Sequence, residues 1–347
     1  LISDNSIKIP ALRGIINFII SIGLAGLFLY IAFYDVNFGE VLSLVSEASI
    51  FWVLIFVVTI MLGHYIRALR WKYILHSVKP DIKMKNLFGA LMVGYGVNCV
   101  TPKLGEVTRA IMIGNWEGLS RSSMFGTVIV ERIIDVISLG SAVLISAFIW
   151  RENLYINFPW LESTLYFTGF LMLAVIILIY LTVSLKEKFY GVIVKAVSKI
   201  SDKLAGKVAY IIEMLTQGFA SLKGKKNYTY TIILTVLILA VYALTSYIGF
   251  FMLNMEPATY EMGWVLMSIS AIGVVIPTPG GTGSYHTLAK STLVLLFGFN
   301  ETLSAAYAFL THIISYFLFI LTAVPLYFIL NRQQTGQVRN NNSRVNQ

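Results

Sequence analysis

Val53-Leu54-Ile55-Phe56-Val57-Val58-Thr59-Ile60-Met61 is an unbroken apolar run inside a longer one, 50–70. About twenty such residues, coiled as a helix, cross a hydrocarbon core of about 30 Å. Leu171 to Leu181 repeats the pattern. A membrane β-barrel would show segments of about ten residues alternating in polarity, so helices carry the fold. Of the 347 residues 57% are hydrophobic and only 12% charged, with mean hydropathy +0.77, where an ordinary soluble domain carries about 25% charged residues. A soluble globular class is excluded. The fold class is all-α, a polytopic transmembrane helical bundle.

Working outward, spans are expected at 14–34, 50–70, 123–149, 163–184, 229–252, 260–276, 284–298 and 302–330. The first lacks a small-residue cleavage site and reads as a retained helix. A further apolar piece, 86–115, is interrupted at Thr101-Pro102-Lys103-Leu104-Gly105-Glu106. Its two parts are too short to cross, so a re-entrant hairpin is expected there. Segment 1–331 then forms one membrane domain of about eight crossings, and the polar, aperiodic tail 332–347 is expected to be disordered.

Short cytoplasmic loops are enriched in Lys and Arg. Segment 64–85 holds Arg67, Arg70, Lys72, Lys79, Lys83 and Lys85, and 186–226 holds nine lysines, whereas 35–49 and 253–261 hold acids and no base. With Lys8 and Arg13 before the first span and Arg332, Arg339 and Arg344 after the last, both termini are expected in the cytoplasm of a bacterial-type cell membrane. In 186–226, Phe189, Ile193, Val197, Ile200 and Leu204 recur at helical spacing among lysines, which reads either as an amphipathic helix on the inner leaflet or as a solvated connector. The net charge of +9 is spread between the spans, which points to anionic lipid head groups and not to nucleic acid. The single Cys99 allows no internal disulfide and reads as a small core residue.

A second break, Pro277-Thr278-Pro279-Gly280-Gly281-Thr282-Gly283, interrupts the apolar pattern 175 residues after the first, again with Gly three positions after Pro. Such breaks free backbone N–H and C=O groups, which membranes tolerate only where protein or water meets them. Two re-entrant or broken segments, near 86–115 and 277–298, suggest a degenerate inverted repeat and a site between them, where Gly280, Gly281 and Gly283 would line the break. Ionisable residues cluster nearby, although charge at membrane depth is expensive. Glu106 and Arg109 share a helix face and can pair with each other, beside Lys103. Glu131, Arg132 and Asp135 form a polar seam that can bridge to Arg109 or Arg67, with Arg70 one turn further on. His286 and Lys290 follow the second break, His286 as a proton-responsive group or a satisfied polar residue and Lys290 as an outward-reaching cation. His64 and His312 stand alone and read as core residues. Zinc-ligand spacing, phosphate-cradling loops and nucleophile elbows are absent, so neither an enzyme nor a cofactor or metal is expected.

Arg67-Ala68-Leu69-Arg70-Trp71, the Pro-x-x-Gly-Glu-x-x-Arg of residues 102–109, Glu131-Arg132-x-x-Asp135 and Pro277-x-Pro-Gly-Gly-x-Gly together resemble the lysylphosphatidylglycerol synthase transmembrane family, also called flippase-like. The resemblance covers about residues 12 to 330. In two-part members this region flips an aminoacylated phosphatidylglycerol made by a separate cytoplasmic domain. The resemblance therefore implies lipid translocation. The leading reading of the residues holds an anionic head group between the two breaks, near Arg70, Arg109 and Arg132. No such domain follows here, so aminoacyl transfer is not expected. Family members often carry an acid shortly after the glycine motif, where this sequence has His286. Two other readings stay open: a scaffold that presents a lipid to a lipid-modifying partner enzyme, and a proton- or ion-coupled solute carrier. Oligomeric state is not legible.

Overall fold

A computed structural model describes residues 8–150, 195–199, 201–210 and 224–345, with separate helical positions between 163 and 177. The described residues are helical and form no strands. In chain order the helices are α1 (Lys8–Phe33), α2 (Phe38–Ser46), α3 (Ile50–Leu75), α4 (Met84–Val100), α5 (Leu104–Glu117), α6 (Arg121–Ile149), α7 (Lys225–Met252), α8 (Tyr260–Val275), α9 (Ser284–Leu295) and α10 (Glu301–Val345). Four stretches are long and apolar enough to cross a membrane: 16–33, 50–75, 225–252 and 301–333. They correspond to four of the expected spans. The span at 123–149 is α6, whose 29 residues carry Glu131, Arg132 and Asp135. The span at 163–184 lies largely outside the described residues. So does most of 186–226, of which 195–198, 202–210 and, as the start of α7, 225–226 are helical.

The surface is inverted relative to a soluble protein. Leu54, Val58, Phe148 and Leu321 are well exposed, whereas Arg70, Arg109 and Glu131 are buried. Apolar side chains outside and ionic ones inside are what a hydrocarbon solvent selects.

Four contacts define the two ends of the bundle. At one end the Ser49 N–H donates to Met252 O (2.9 Å) and Trp150 Nε1 to Leu296 O (3.3 Å). At the other, Lys79 pairs with Glu117 (2.9 Å) and Lys85 Nζ donates to Gln333 Oε1 (2.7 Å). Helices α4 and α5 form a hairpin rooted at the second end. Pro102 disfavours helical backbone at Thr101, which turns extended (φ −127°, ψ 110°), and Lys103 then takes a left-handed φ of 63°. Gly105 lets the limbs touch, since a Cβ there would lie 2.0 Å from Gly94 O.

Helices α8 and α9 form a second hairpin, rooted at the first end. At 16 and 12 residues they reach about 24 and 18 Å, short of a hydrocarbon core of about 30 Å. The stretches expected as crossings at 260–276 and 284–298 form the two limbs of this hairpin, its tip and second limb lying where a re-entrant or broken segment, 277–298, was also expected. One hairpin in place of two crossings leaves the parity of the count unchanged. Ile276 is extended before Pro277, and the tip runs through a 3-10 turn, Pro279–Gly281, with Gly280, Gly281 and Gly283 at φ 60°, 77° and 84°.

The hairpins enter from opposite ends and their tips meet. Tyr316 of α10 joins them: its hydroxyl donates to Cys99 O (2.9 Å), and its ring leaves room at Gly280 only for a glycine. The order α3, α4–α5, α6 recurs as α7, α8–α9, α10. The starts of α5 and α9 and of α6 and α10 are offset by 180 residues, Leu104 with Ser284 and Arg121 with Glu301, and those of α3 and α7 and of α4 and α8 by 175 and 176. α3 lies on α7, α4 on α10, and α8 on α6, so each hairpin's first limb packs on the other half's last helix. This is the inverted repeat that the two breaks suggested. α10 continues helical past Gln333 to Val345, where the sequence suggested disorder; extending an existing helix avoids the nucleation penalty.

Candidate functional site

Arg67 and Arg70 sit on one face of α3, three residues apart and turned into the bundle, not in the loop where the charge tally placed them. Glu131, Arg132 and Asp135 face them from α6, and Glu106 and Arg109 from the first two turns of α5. Glu131 is wholly buried and stands at the centre. It accepts from Arg67 Nε (2.8 Å) and Arg109 Nη1 (2.5 Å), with Arg70 Nη2 at 3.4 Å. Asp135 accepts from Arg67 and Arg70 and pairs with Arg132 Nη2 (2.9 Å). Arg70 Nη1 also donates to Thr235 Oγ1 of α7 (3.2 Å).

Glu106 and Arg109, expected to pair with each other, take separate partners. Arg109 binds Glu131, while Glu106 lies 3.6 Å from Arg132 Nη1 and accepts from Asn98 Nδ2 (3.4 Å). Glu131 is the wholly buried acid at the centre of the network, so the buried Arg109 turns to it across the helix interface and leaves Glu106 to Arg132 and Asn98. Asn98 is a site residue that sequence reading missed. Its Oδ1 accepts from the Gly105 N–H (2.7 Å), closing the hairpin at the start of α5. Arg109 lies over the Trp71 ring (4.8 Å), and Arg67 over Tyr95 (5.9 Å).

The charge balance is uneven. Arg67, Arg70, Arg109 and Arg132 meet Glu106, Glu131 and Asp135, four positive charges against three negative. Three buried donor atoms, Arg70 Nε, Arg109 Nη2 and Arg132 Nε, lack a hydrogen-bond partner among the described residues. A crevice bordered by Gly94, Tyr95, Asn98, Glu106, Arg109 and Arg132 holds about 10 Å³, about one water molecule.

Lys103 is exposed at the turn and stands outside this network. Gly280, Gly281, Gly283 and His286 belong to the other hairpin tip. There Ser284 Oγ donates to Gly273 O (2.7 Å) and the Gly283 N–H donates to His286 Nδ1 (3.2 Å). His312, read as an isolated core residue, lies beside His286 with ring centres 4.5 Å apart, and its Nε2 is 3.2 Å from Thr282 Oγ1. Only the packing of α9 on α10 brings these two residues together. Lys290, expected to reach outward, is instead nearly buried and pairs with Glu301 at 2.5 Å. His64 is a packed core residue between Tyr95 and Phe319.

Residues 18–323 match the family profile described as the lysylphosphatidylglycerol synthase TM region. The chain belongs to that family. Among similar proteins are UPF0104 membrane proteins of three archaea. Those of Methanocaldococcus jannaschii and Methanothermobacter thermautotrophicus are each 25% identical, over 81% of this chain and 85% and 86% of theirs, and that of Pyrococcus horikoshii is 23% identical over 80% and 86%. No solved structure matches. Both the family and the apolar helices make this a multi-pass membrane protein of a lipid-related family, and the arginine-centred network is formed by three of the four motifs on which the resemblance rested.

Proposed function

We propose that this protein is a lipid flippase or lipid transporter, not an enzyme, that holds the anionic head group of a membrane lipid at the first hairpin and carries it across the cell membrane. The observation that carries this reading is the surplus of one arginine in a largely buried network, with Arg109 and Arg132, each holding a donor atom without a partner among the described residues, bordering a crevice. An unmatched charge at membrane depth costs several kcal/mol, and a phosphodiester monoanion would balance it through charge-assisted hydrogen bonds. The re-entrant α4–α5 limb is the element that would move, because its contacts with α6 run through side chains and not through a continuous span. Two hairpins entering from opposite ends offer the alternating access that broken-helix carriers use.

Orientation follows from charge. The end with Lys72, Lys79, Lys83, Lys85, Lys225 and Lys226 would be cytoplasmic, and the end with Asp35, Glu40, Glu47, Glu256 and Glu261 outward, which puts both termini inside. A scaffold that presents the same lipid to a modifying enzyme would share the binding site and lack the movement. Purified protein in proteoliposomes with fluorescent phosphatidylglycerol separates the two. Transport predicts that the outer-leaflet label becomes inaccessible and recovers protein-dependently, and that Arg109→Ala stops it. Binding without movement would overturn the transport reading, and undiminished movement in Arg109→Ala would overturn the site.

A further inference from the structure

The repeat gives the second hairpin tip a chemistry of its own. At the offset of 180 residues, His286 in α9 occupies the position of Glu106 in α5, and His312 in α10 that of Arg132 in α6. The first half has an ion pair there, at 3.6 Å. The second half has two imidazoles with centres 4.5 Å apart. His286 is 3% exposed. We propose that the His286–His312 pair is a proton-loaded anion station, where one proton and the phosphodiester monoanion of a lipid head group bind together. The inference rests on the reading that the protein handles an anionic lipid.

Its physical basis is what surrounds the pair. From α1, Phe33 meets His286 (5.8 Å). On α9 the neighbour is Tyr285, bonded to Thr311 (2.9 Å), and on α10 it is Tyr316, whose hydroxyl is held by Cys99 O. From α4 comes the free thiol Cys99. From α8, residues 262–275 contribute no ionisable group. One turn along α9, Lys290 is already neutralised by Glu301. No carboxylate among the described residues faces the imidazoles, so a proton taken up there creates a cation with no built-in partner. Burying such a charge is unfavourable until an anion joins it.

The hydrogen bond at Gly283 gives the proton a consequence. Because the Gly283 N–H donates to His286 Nδ1, the neutral ring carries its hydrogen on Nε2. Protonation puts a hydrogen on Nδ1. That nitrogen ceases to accept, and the Gly283 N–H is released at the N-terminus of α9. The tip then offers two N–H donors where it had one closed bond, with a helix dipole behind them. The proton comes from water to the imidazole lone pair; no covalent bond to carbon or phosphorus forms or breaks. Proton and monoanion together are neutral, so the pair could pass the membrane interior without an unmatched charge.

The test uses full-length protein labelled with 15N-histidine in nanodiscs of phosphatidylcholine, with or without phosphatidylglycerol. The imidazole signals are assigned with His286→Gln and His312→Gln and followed against pH. The two rings should take up a single proton as one unit, with a midpoint about one pH unit higher in phosphatidylglycerol, a tenfold change in proton affinity. By reciprocity, phosphatidylglycerol binding should weaken about tenfold as pH rises through that midpoint. The shift should vanish from the remaining ring in either His→Gln variant. Equal midpoints in the two lipids, independent titration of the rings, or a shift that persists when one histidine is replaced would each overturn the station. If fluorescent phosphatidylglycerol does not move across proteoliposomes while the shift is present, the transport reading fails and the proton-linked site stands.

Discussion

The two hairpins share a construction and differ in chemistry. Both are helix-break-helix limbs closed by glycine, Gly105 against Gly94 in the first and Gly273 against Ser284 in the second. The first is surrounded by four arginines and three carboxylates. The second holds Ser, Thr, Tyr and His, and its one buried cation, Lys290, is matched by Glu301. Equivalent backbones thus carry a permanently charged site and a site whose charge depends on protonation. In the proposed transport reading the backbone repeat would supply the access route, and the side chains would decide what each half binds.

The largest effect that could break this comparison is expected at Glu131. Glu131→Ala leaves four arginines facing only Glu106 and Asp135, and unmatched buried charge typically destabilises by about 3–5 kcal/mol. Thermal unfolding in detergent should show it, whereas His312→Gln, which strands no charge, should lower stability far less. Equal losses would mean that the halves do not differ as described. Next comes the shared construction. Gly105→Ala would put Cβ 2.0 Å from Gly94 O and force the limbs apart, against 2.7 Å from Ser284 O for Gly273→Ala. Overpacking of this kind costs about 1–3 kcal/mol, and Gly105→Ala should be the worse of the two by the same unfolding measurement.

A smaller effect is expected from Arg109→Lys, which keeps the charge but loses the forked donor geometry. Phosphatidylglycerol retention measured by native mass spectrometry should fall about tenfold, corresponding to about 1.4 kcal/mol; unchanged retention would show that charge alone suffices. The smallest is Tyr316→Phe. It removes the bond from Tyr316 to Cys99 O that ties the tips together, worth about 0.5–1.5 kcal/mol. Hydrogen exchange at 99–104 and 278–283 should rise together in that variant if the tips are coupled, and at neither if they are not.

Much of this was legible in the residues. The apolar run at 53–61 and its repeats gave the helical membrane class, and Pro102 and Pro277 marked the breaks because proline and its preceding residue leave helical geometry wherever they fall. Glu131, Arg132 and Asp135 stood out because charge in an apolar helix needs a reason. The partners were less legible. Arg109 bonds to Glu131 and not to Glu106, and His312 belongs with His286, because each pairing is made across two helices whose rotation the sequence does not fix. The limbs α8 and α9 were read as crossings because apolar length alone does not tell a short span from half of a hairpin.

The sequence by itself determined the solvent of this protein, the places where its helices stop, and the presence of ionic groups too costly to be incidental. Those properties follow from local composition and backbone sterics. The tertiary structure alone decided that the breaks are tips entering from opposite ends, that Tyr316 joins them, and that four arginines converge on three carboxylates while two histidines converge on each other. These depend on which faces pack, and packing is set by contacts between residues 22 to 217 positions apart, from Arg109 with Glu131 to Cys99 with Tyr316.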